Sequence, residues 1–123
     1  DAAAQLLDEH PEIELMLTGV GLREQFAVIT AAEDVDIGKP DPRGYVLTAK
    51  RISEKIRRPI PIEQCLVIED AISVAIEAQA AGFGVLGVAT TYPSAVWPKS
   101  IPVVMSLEPQ VVRETLPNLP WAK

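Results

Sequence analysis

Residues 65–88 read CLVIEDAISVAIEAQAAGFGVLGV, and this stretch decides the fold class. The apolar run at 65–68 has the length and composition of a strand that a parallel sheet buries on both faces. The alanine-rich segment at 72–81 predicts a helix, Gly82 predicts its end, and residues 85–88 predict a second strand. A strand, a helix and a strand in this order predict an α/β fold with parallel strands.

The flanking segments continue the same alternation. On the N-terminal side, FAVIT at 26–30 predicts a short strand. Asp41 and Pro42 then suit the N-cap and the first turn of a further helix. The other predicted elements are helices at residues 2–9, 14–18 and 111–116 and a strand at 103–105. Five basic residues lie in and just after the second half of the helix that follows Pro42: Lys50, Arg51, Lys55, Arg57 and Arg58. We interpret them as a solvated face and end of the helix.

Composition and charge restrict the class of protein. A chain of 123 residues, 48% of them apolar, predicts one small domain over residues 1–123. Seventeen acidic residues against 11 Lys and Arg give a net charge of −6, which repels phosphate backbones, so we expect no nucleic-acid partner. No apolar run of about 18 residues and no signal peptide are visible, so we expect a cytoplasmic protein without a membrane partner. The single cysteine, Cys65, excludes an internal disulfide, and its apolar context favours a core thiol.

Two features of the sequence suggest a functional site but are better explained by their structural context. GFGVLG at 82–87 fits the pattern G-x-G-x-x-G, but a dinucleotide site needs a strand before the glycines and a helix after them. Here the order is reversed. We therefore interpret Gly82 as a helix stop and Gly84 and Gly87 as points of close packing at a strand. His10, the single histidine, is interpreted as a surface residue.

One set of charged residues lies where a ligand site is expected. Lys39 stands in the loop GKP at 38–40, and Glu69 and Asp70 directly follow the apolar run. Ligands of open α/β sheets bind at the carboxyl ends of the strands, where two carboxylates suit Mg²⁺ and a lysine suits a phosphate. The alternative is that Glu69 and Asp70 cap the helix that begins near Ile72. The residues alone leave both interpretations open.

Two spaced motifs resemble those of the haloacid dehalogenase-like (HAD) hydrolases, most closely the phosphoglycolate phosphatase and β-phosphoglucomutase subgroup. GKPDP at 38–42 resembles the third motif of the family, and VIEDA at 67–71 resembles the fourth. The resemblance implies a HAD-like Rossmannoid three-layer sandwich. It also implies Mg²⁺ held by Glu69 and Asp70, catalytic roles for Lys39 and Asp70, and a small phosphorylated metabolite as the substrate.

The sequence departs from the pattern of the family in three respects. Its 123 residues contain no D-x-D-x-[TV] motif, whose first Asp is the nucleophile in the family, and no counterpart of the cap domain. In the fourth motif Ala71 replaces a serine and Val74 replaces a glycine. The resemblance thus implies the later part of a HAD-like core, inactive by itself, which needs a missing N-terminal half or a second copy. The alternative is a non-catalytic α/β binding or assembly module built on the same scaffold.

Overall fold

The computed structural model describes residues 11–117. The helices are α1 (Pro11–Gly19), α2 (Arg43–Ile56), α3 (Ile72–Ala80) and α4 (Pro109–Thr115), and the strands are β1 (Leu66–Glu69), β2 (Gly84–Val88) and β3 (Val103–Val104). The predicted helix at 2–9 and the prediction for His10 lie outside the described residues. None of the helices within 11–117 combines the length and the apolar composition that crossing a bilayer requires.

The described residues form two compact units. The first contains residues 11–39 and 43–61, and the second contains residues 40–42 and 62–117. That residues 1–123 form a single domain stays a prediction.

The second unit is built on a parallel sheet of three strands in the order β1-β2-β3. In the register of the first pair, Leu66 lies opposite Gly84 and Glu69 lies opposite Gly87. Helix α3 connects β1 to β2 and packs on both strands, while α4 packs on β3. The predicted fold class, α/β with parallel strands, is therefore confirmed.

The apolar core of this unit is centred on β2. Leu86 is fully buried in the middle of that strand, and full burial of a leucine side chain contributes about 1.5–3 kcal/mol. The side chains that form one cluster with it are Val88, Val104, Leu66, Val111, Val112 and Leu116. Because successive strand residues point to opposite faces of a sheet, Val85 and Gly87 lie on the other face. Helix α3 buries Val74, Ala75 and Ala78.

Gly82 and Gly87 have the structural roles that the sequence predicts. Gly82 follows the end of α3 with a φ of +107°, in the left-handed region that favours glycine. A Cβ at Gly84 would lie 3.4 Å from the carbonyl oxygen of Cys65, and one at Gly87 would lie 2.6 Å from Cζ3 of Trp97. The interpretation of Gly82 as a helix stop and of Gly87 as a point of close packing is confirmed, whereas a Cβ at Gly84 would make only an ordinary van der Waals contact.

The first unit contains the clearest departure from the sequence prediction. Residues 26–30, predicted as a strand, form an irregular segment. Lys55 Nζ donates a hydrogen bond to the carbonyl of Ala27 (2.6 Å), and Arg51 Nη1 donates one to the carbonyl of Ile29 (3.1 Å). The strand prediction is wrong because side chains of α2, and not a neighbouring strand, satisfy these carbonyls. Arg51 and Lys55 are therefore more than a solvated helix face.

Arg51 of α2 also forms an ion pair with Asp34, which precedes this helix in the chain. Its Nη1 atom lies 2.9 Å from Oδ2 of Asp34, whose side chain is only 9% exposed. The same oxygen accepts a hydrogen bond from the backbone N–H of Ala31 (2.9 Å). Nearby, the hydroxyl of Thr48 donates to the hydroxyl of Thr30 (2.7 Å). These contacts hold the segment around Asp34 against α2.

Helix α2 begins one residue later than the sequence predicts. It starts at Arg43, directly after Pro42, and it buries Ala49. The helix ends at Ile56, and the next residue, Arg57, has a φ of +59°. A left-handed residue at this position is a common way to end a helix, although glycine adopts it at lower cost.

Helix α1 buries one acidic side chain and exposes two apolar side chains. It begins at Pro11 rather than near Glu14, since proline is tolerated in the first turn. The helix buries Glu14, whose carboxylate accepts a hydrogen bond from Nε of Arg23. Leu15 and Met16 are exposed. The ion pair with Arg23 satisfies Oε2 of this buried carboxylate, while Oε1 has no hydrogen-bond partner among the described residues.

Candidate functional site

The two acidic residues that the sequence singles out lie at the carboxyl end of β1. Glu69 is the last residue of the strand, Asp70 follows it, and α3 begins at Ile72. Glu69 is buried, with 7% of its surface exposed, whereas Asp70 is exposed. The two adjacent carboxylates therefore have different surroundings, and they are suited to different roles.

The carboxylate of Glu69 turns back onto the backbone that follows it. Its Oε1 atom accepts hydrogen bonds from the N–H groups of Asp70 (3.2 Å) and Ala71 (3.1 Å). Ala71 is the N-cap of α3 and has no side-chain hydrogen bond to offer the helix. A carboxylate near the first turn also interacts favourably with the helix dipole. These hydrogen bonds hold the turn that precedes α3, and both the capping and the metal-ligand interpretations of Glu69 stay predictions.

Asp70 is joined to the segment that follows β2. The hydroxyl of Thr91 donates a hydrogen bond of 2.7 Å to Oδ2 of Asp70. This contact arises because β1 and β2 are parallel neighbours whose carboxyl ends meet at the same edge of the sheet. Thr91 was not among the residues predicted from the sequence. The signal that could have found it is the pair of threonines at 90–91, directly beyond the second apolar strand.

Lys39 lies in the first unit, beside the start of α2. Its Nζ atom is 5.4 Å from the ring centroid of Tyr45, within the range of a cation–π interaction. Close by in sequence, Arg43 Nη1 donates a hydrogen bond of 2.8 Å to Oδ1 of Asp36. That hydrogen bond and the guanidinium charge hold the pKa of the Asp36 carboxyl below its ordinary value. The catalytic role of Lys39 beside the acids stays a prediction.

The donor set at the end of β1 can be compared with what metal ions require. Within residues 11–117, no group of three or more His, Cys, Asp and Glu side chains is placed to hold a metal ion. A closed cage of protein ligands is thus not formed by the described side chains. Mg²⁺ usually takes one or two carboxylates and completes its octahedron with water and substrate phosphates. The exposed carboxylate of Asp70 at a strand end fits that requirement.

Cys65 lies immediately before β1 and is partly buried. Burial raises the pKa of its thiol, and the nearby Glu63 carboxylate raises that pKa further. A raised pKa lowers the fraction of thiolate at neutral pH, and the thiolate is the nucleophilic form. Cys65 therefore has the properties of a structural thiol and not of a reactive one.

The part of the chain that carries the GKPDP and VIEDA motifs is similar to known hydrolases. The haloacid dehalogenase-like hydrolase family matches residues 7–82, which is more than half of the chain. The putative phosphatase YhcW of Bacillus subtilis (strain 168) is 36% identical over 66 residues, 54% of this chain and 27% of that protein. The validoxylamine A 7'-phosphate phosphatase of Streptomyces hygroscopicus subsp. limoneus is 33% identical over 79 residues, 64% of this chain and 34% of that protein.

The two curated relatives are much longer than the segments that match this chain. The matched segments correspond to only 27% and 34% of the lengths of the two curated relatives. The family match, in contrast, includes both the GKPDP and the VIEDA motifs and therefore Lys39, Glu69 and Asp70. This chain belongs to the haloacid dehalogenase-like hydrolases.

Proposed function

We propose that this chain is the C-terminal part of the core of a Mg²⁺-dependent phosphohydrolase that acts on a small phosphate ester. We further propose that it is of the phosphoglycolate phosphatase and β-phosphoglucomutase type. The observation that carries the proposal is the exposed Asp70, held by Thr91 at the carboxyl end of β1. Both relatives are named as phosphatases, and one name specifies the phosphate of a small molecule, which supports this substrate class.

Each residue of the proposed site has a separate task. Asp70 binds the cation, and Glu69 adds negative charge while it holds the backbone of the turn through Asp70 and Ala71. Lys39 binds the phosphoryl oxygens and offsets their negative charge as the bond to the leaving group breaks. When bound, Mg²⁺ supplies Lewis-acid polarisation of a phosphoryl oxygen.

The nucleophile of the proposed reaction is not among the 123 residues. Phosphoryl transfer through a covalent intermediate needs a carboxylate that attacks the phosphorus atom. The motif that provides it in the family, D-x-D-x-[TV], does not occur in this sequence. In the proposal a segment that precedes this chain supplies the nucleophile, because a second copy, the other partner expected from the resemblance, lacks the motif as well.

The metal role of Asp70 can be tested without any catalytic activity. We expect the wild-type chain to bind Mg²⁺ and Asp70→Asn to show no measurable binding, because the substitution removes the charge of the ligand. Titration calorimetry at neutral pH measures the affinity, and the backbone amide shifts in NMR spectra locate the site. Glu77→Gln is the matched control, since Glu77 is an exposed acid of α3 and its substitution changes the net charge equally. Equal Mg²⁺ affinity in Asp70→Asn and wild type would contradict the proposed site.

The missing nucleophile leads to a second expectation. The 123-residue chain with Mg²⁺ should hydrolyse p-nitrophenyl phosphate no faster than the buffer does, because no attacking carboxylate is present at the phosphoryl group. The release of p-nitrophenolate measures this rate. Hydrolysis above the background that disappears in Asp70→Asn would show that the chain is catalytically complete.

One observation favours the alternative of a non-catalytic binding or assembly module. Ala71 provides no side-chain hydrogen bond at the N-cap of α3, and Val74 is buried in that helix where the family has glycine. Both substitutions replace family-typical residues beside the site. If the wild-type chain binds no Mg²⁺ in the titration above, the module interpretation is favoured over the enzyme.

A further inference from the structure

The hydrogen bond between Thr91 and Asp70 links two strand ends that are far apart in sequence. The two residues are 21 positions apart, and the donor and acceptor atoms are 2.7 Å from each other. Asp70 directly follows β1, and Thr91 lies three positions beyond the last residue of β2. Both residues are exposed. The contact therefore lies at the accessible edge of the sheet, where the proposed cation site is.

We propose that Thr91 is a positioning residue that orients the carboxylate of Asp70 for Mg²⁺. This inference rests on the proposed function, because it takes Asp70 as a ligand of the cation. An exposed aspartate without a fixed partner samples several side-chain rotamers, and ordering it upon binding costs free energy. A hydroxyl that donates to Oδ2 holds one orientation before the cation arrives. Hydrogen-bond partners outside the ligand shell tune metal sites in this way.

The surroundings of Thr91 argue against a role in folding alone. A hydrogen bond between two exposed side chains competes with water, so its net contribution to folding stability is small. Loss of the hydroxyl is therefore expected to leave the free energy of unfolding nearly unchanged. Its effect should instead appear when Asp70 is required to adopt one orientation, which is when it binds a cation.

The test compares Mg²⁺ affinities of five forms of the full chain by titration calorimetry: wild type, Asp70→Asn and three threonine variants. Thr91→Val keeps the shape of the side chain and removes the donor, and we expect it to weaken Mg²⁺ binding about tenfold or more. Thr91→Ser restores the donor and is expected to bind nearly as tightly as wild type. Thr90→Val is the matched control, since Thr90 is the neighbouring exposed threonine and is not the donor to Asp70.

The outcomes separate this inference from the proposed function. If Thr91→Val binds Mg²⁺ like wild type while Asp70→Asn does not bind, Thr91 has no positioning role although the cation site is real. If Asp70→Asn also binds like wild type, the cation site itself is wrong. Urea denaturation provides a second readout. If Thr91→Val unfolds at lower urea concentration and Thr91→Ser binds Mg²⁺ as weakly as Thr91→Val, the loss of binding does not come from the hydroxyl and the inference is overturned.

Discussion

Replacing Gly87 with alanine is expected to lower the free energy of unfolding by about 1–3 kcal/mol, the usual cost of overpacking a core. A Cβ at this position would lie 2.6 Å from Cζ3, 2.8 Å from Cε3 and 2.9 Å from Cη2 of Trp97. Because the indole ring is rigid and only 6% exposed, it cannot turn away without displacing other core residues. Urea denaturation followed by far-ultraviolet circular dichroism measures the loss, and Gly87→Val should lose more than Gly87→Ala.

The role of the indole ring in this effect can be isolated by a double-mutant cycle. If Trp97 is what the new methyl group strikes, Gly87→Ala should cost less in a Trp97→Leu background than in wild type. Coupling energies between contacting residues are about 0.5–3 kcal/mol. Additive losses would show that the penalty at Gly87 has another source.

Gly44 is the matched control for the glycine substitution. It lies in α2, and a Cβ built there meets no atom within 4 Å. Alanine is a better helix former than glycine, so Gly44→Ala is expected to raise the free energy of unfolding by up to about 1 kcal/mol. The same change of residue should thus have opposite signs at the two positions. A similar loss at both would contradict the packing explanation.

Replacing Arg51 with methionine is expected to lower the free energy of unfolding by about 2–3 kcal/mol, somewhat less than the cost of breaking a fully buried ion pair. The substitution removes the guanidinium from Asp34, whose side chain is 9% exposed, while Arg51 itself is 23% exposed. It also removes the donor to the carbonyl of Ile29. Methionine keeps most of the aliphatic stem, so the lost polar contacts dominate. The same denaturation experiment measures the effect.

Arg43 offers a comparison within the same helix. Its ion pair with Asp36 is exposed, at 50% and 82% for the two side chains, and solvent screens such pairs. Arg43→Met is therefore expected to change the stability little at neutral pH. Because Arg43 lowers the pKa of Asp36 in the folded state, any contribution is present above the unfolded pKa and is lost as the pH falls through the folded pKa. Equal losses in Arg43→Met and Arg51→Met would show that burial does not distinguish the two pairs.

The candidate site was predictable from the sequence in its location and only partly in its roles. An apolar run followed by Glu69 and Asp70 is a local pattern, and the strand end lies where that pattern predicts. Thr91 was missed because its contact with Asp70 depends on the pairing of two strands separated by a helix. Capping and metal binding require the same acidic residue at the same position, so the sequence left the role of Glu69 open. In the structure the backbone N–H groups of Asp70 and Ala71, in the turn before α3, are directed at Oε1 of Glu69.

The segment at 26–30 shows where local pattern is insufficient. Its residues have high β propensity, but a strand also needs a neighbouring strand to accept and donate its hydrogen bonds. In the first unit the carbonyls of Ala27 and Ile29 are satisfied by Lys55 and Arg51 of α2. The partners lie 28 and 22 residues away, and no periodicity within FAVIT could indicate them.

The sequence alone determined the order β1, α3, β2 and the parallel α/β class, because apolar runs, helical periodicity and a glycine stop act over a few neighbouring residues. It also indicated that Gly87 is a packing glycine. Only the tertiary structure decided that Trp97 is the side chain packed on it and that Thr91 holds Asp70. The physical reason is the same for both. The fold brings distant segments together and so determines steric and hydrogen-bond partners, which a local sequence pattern does not indicate.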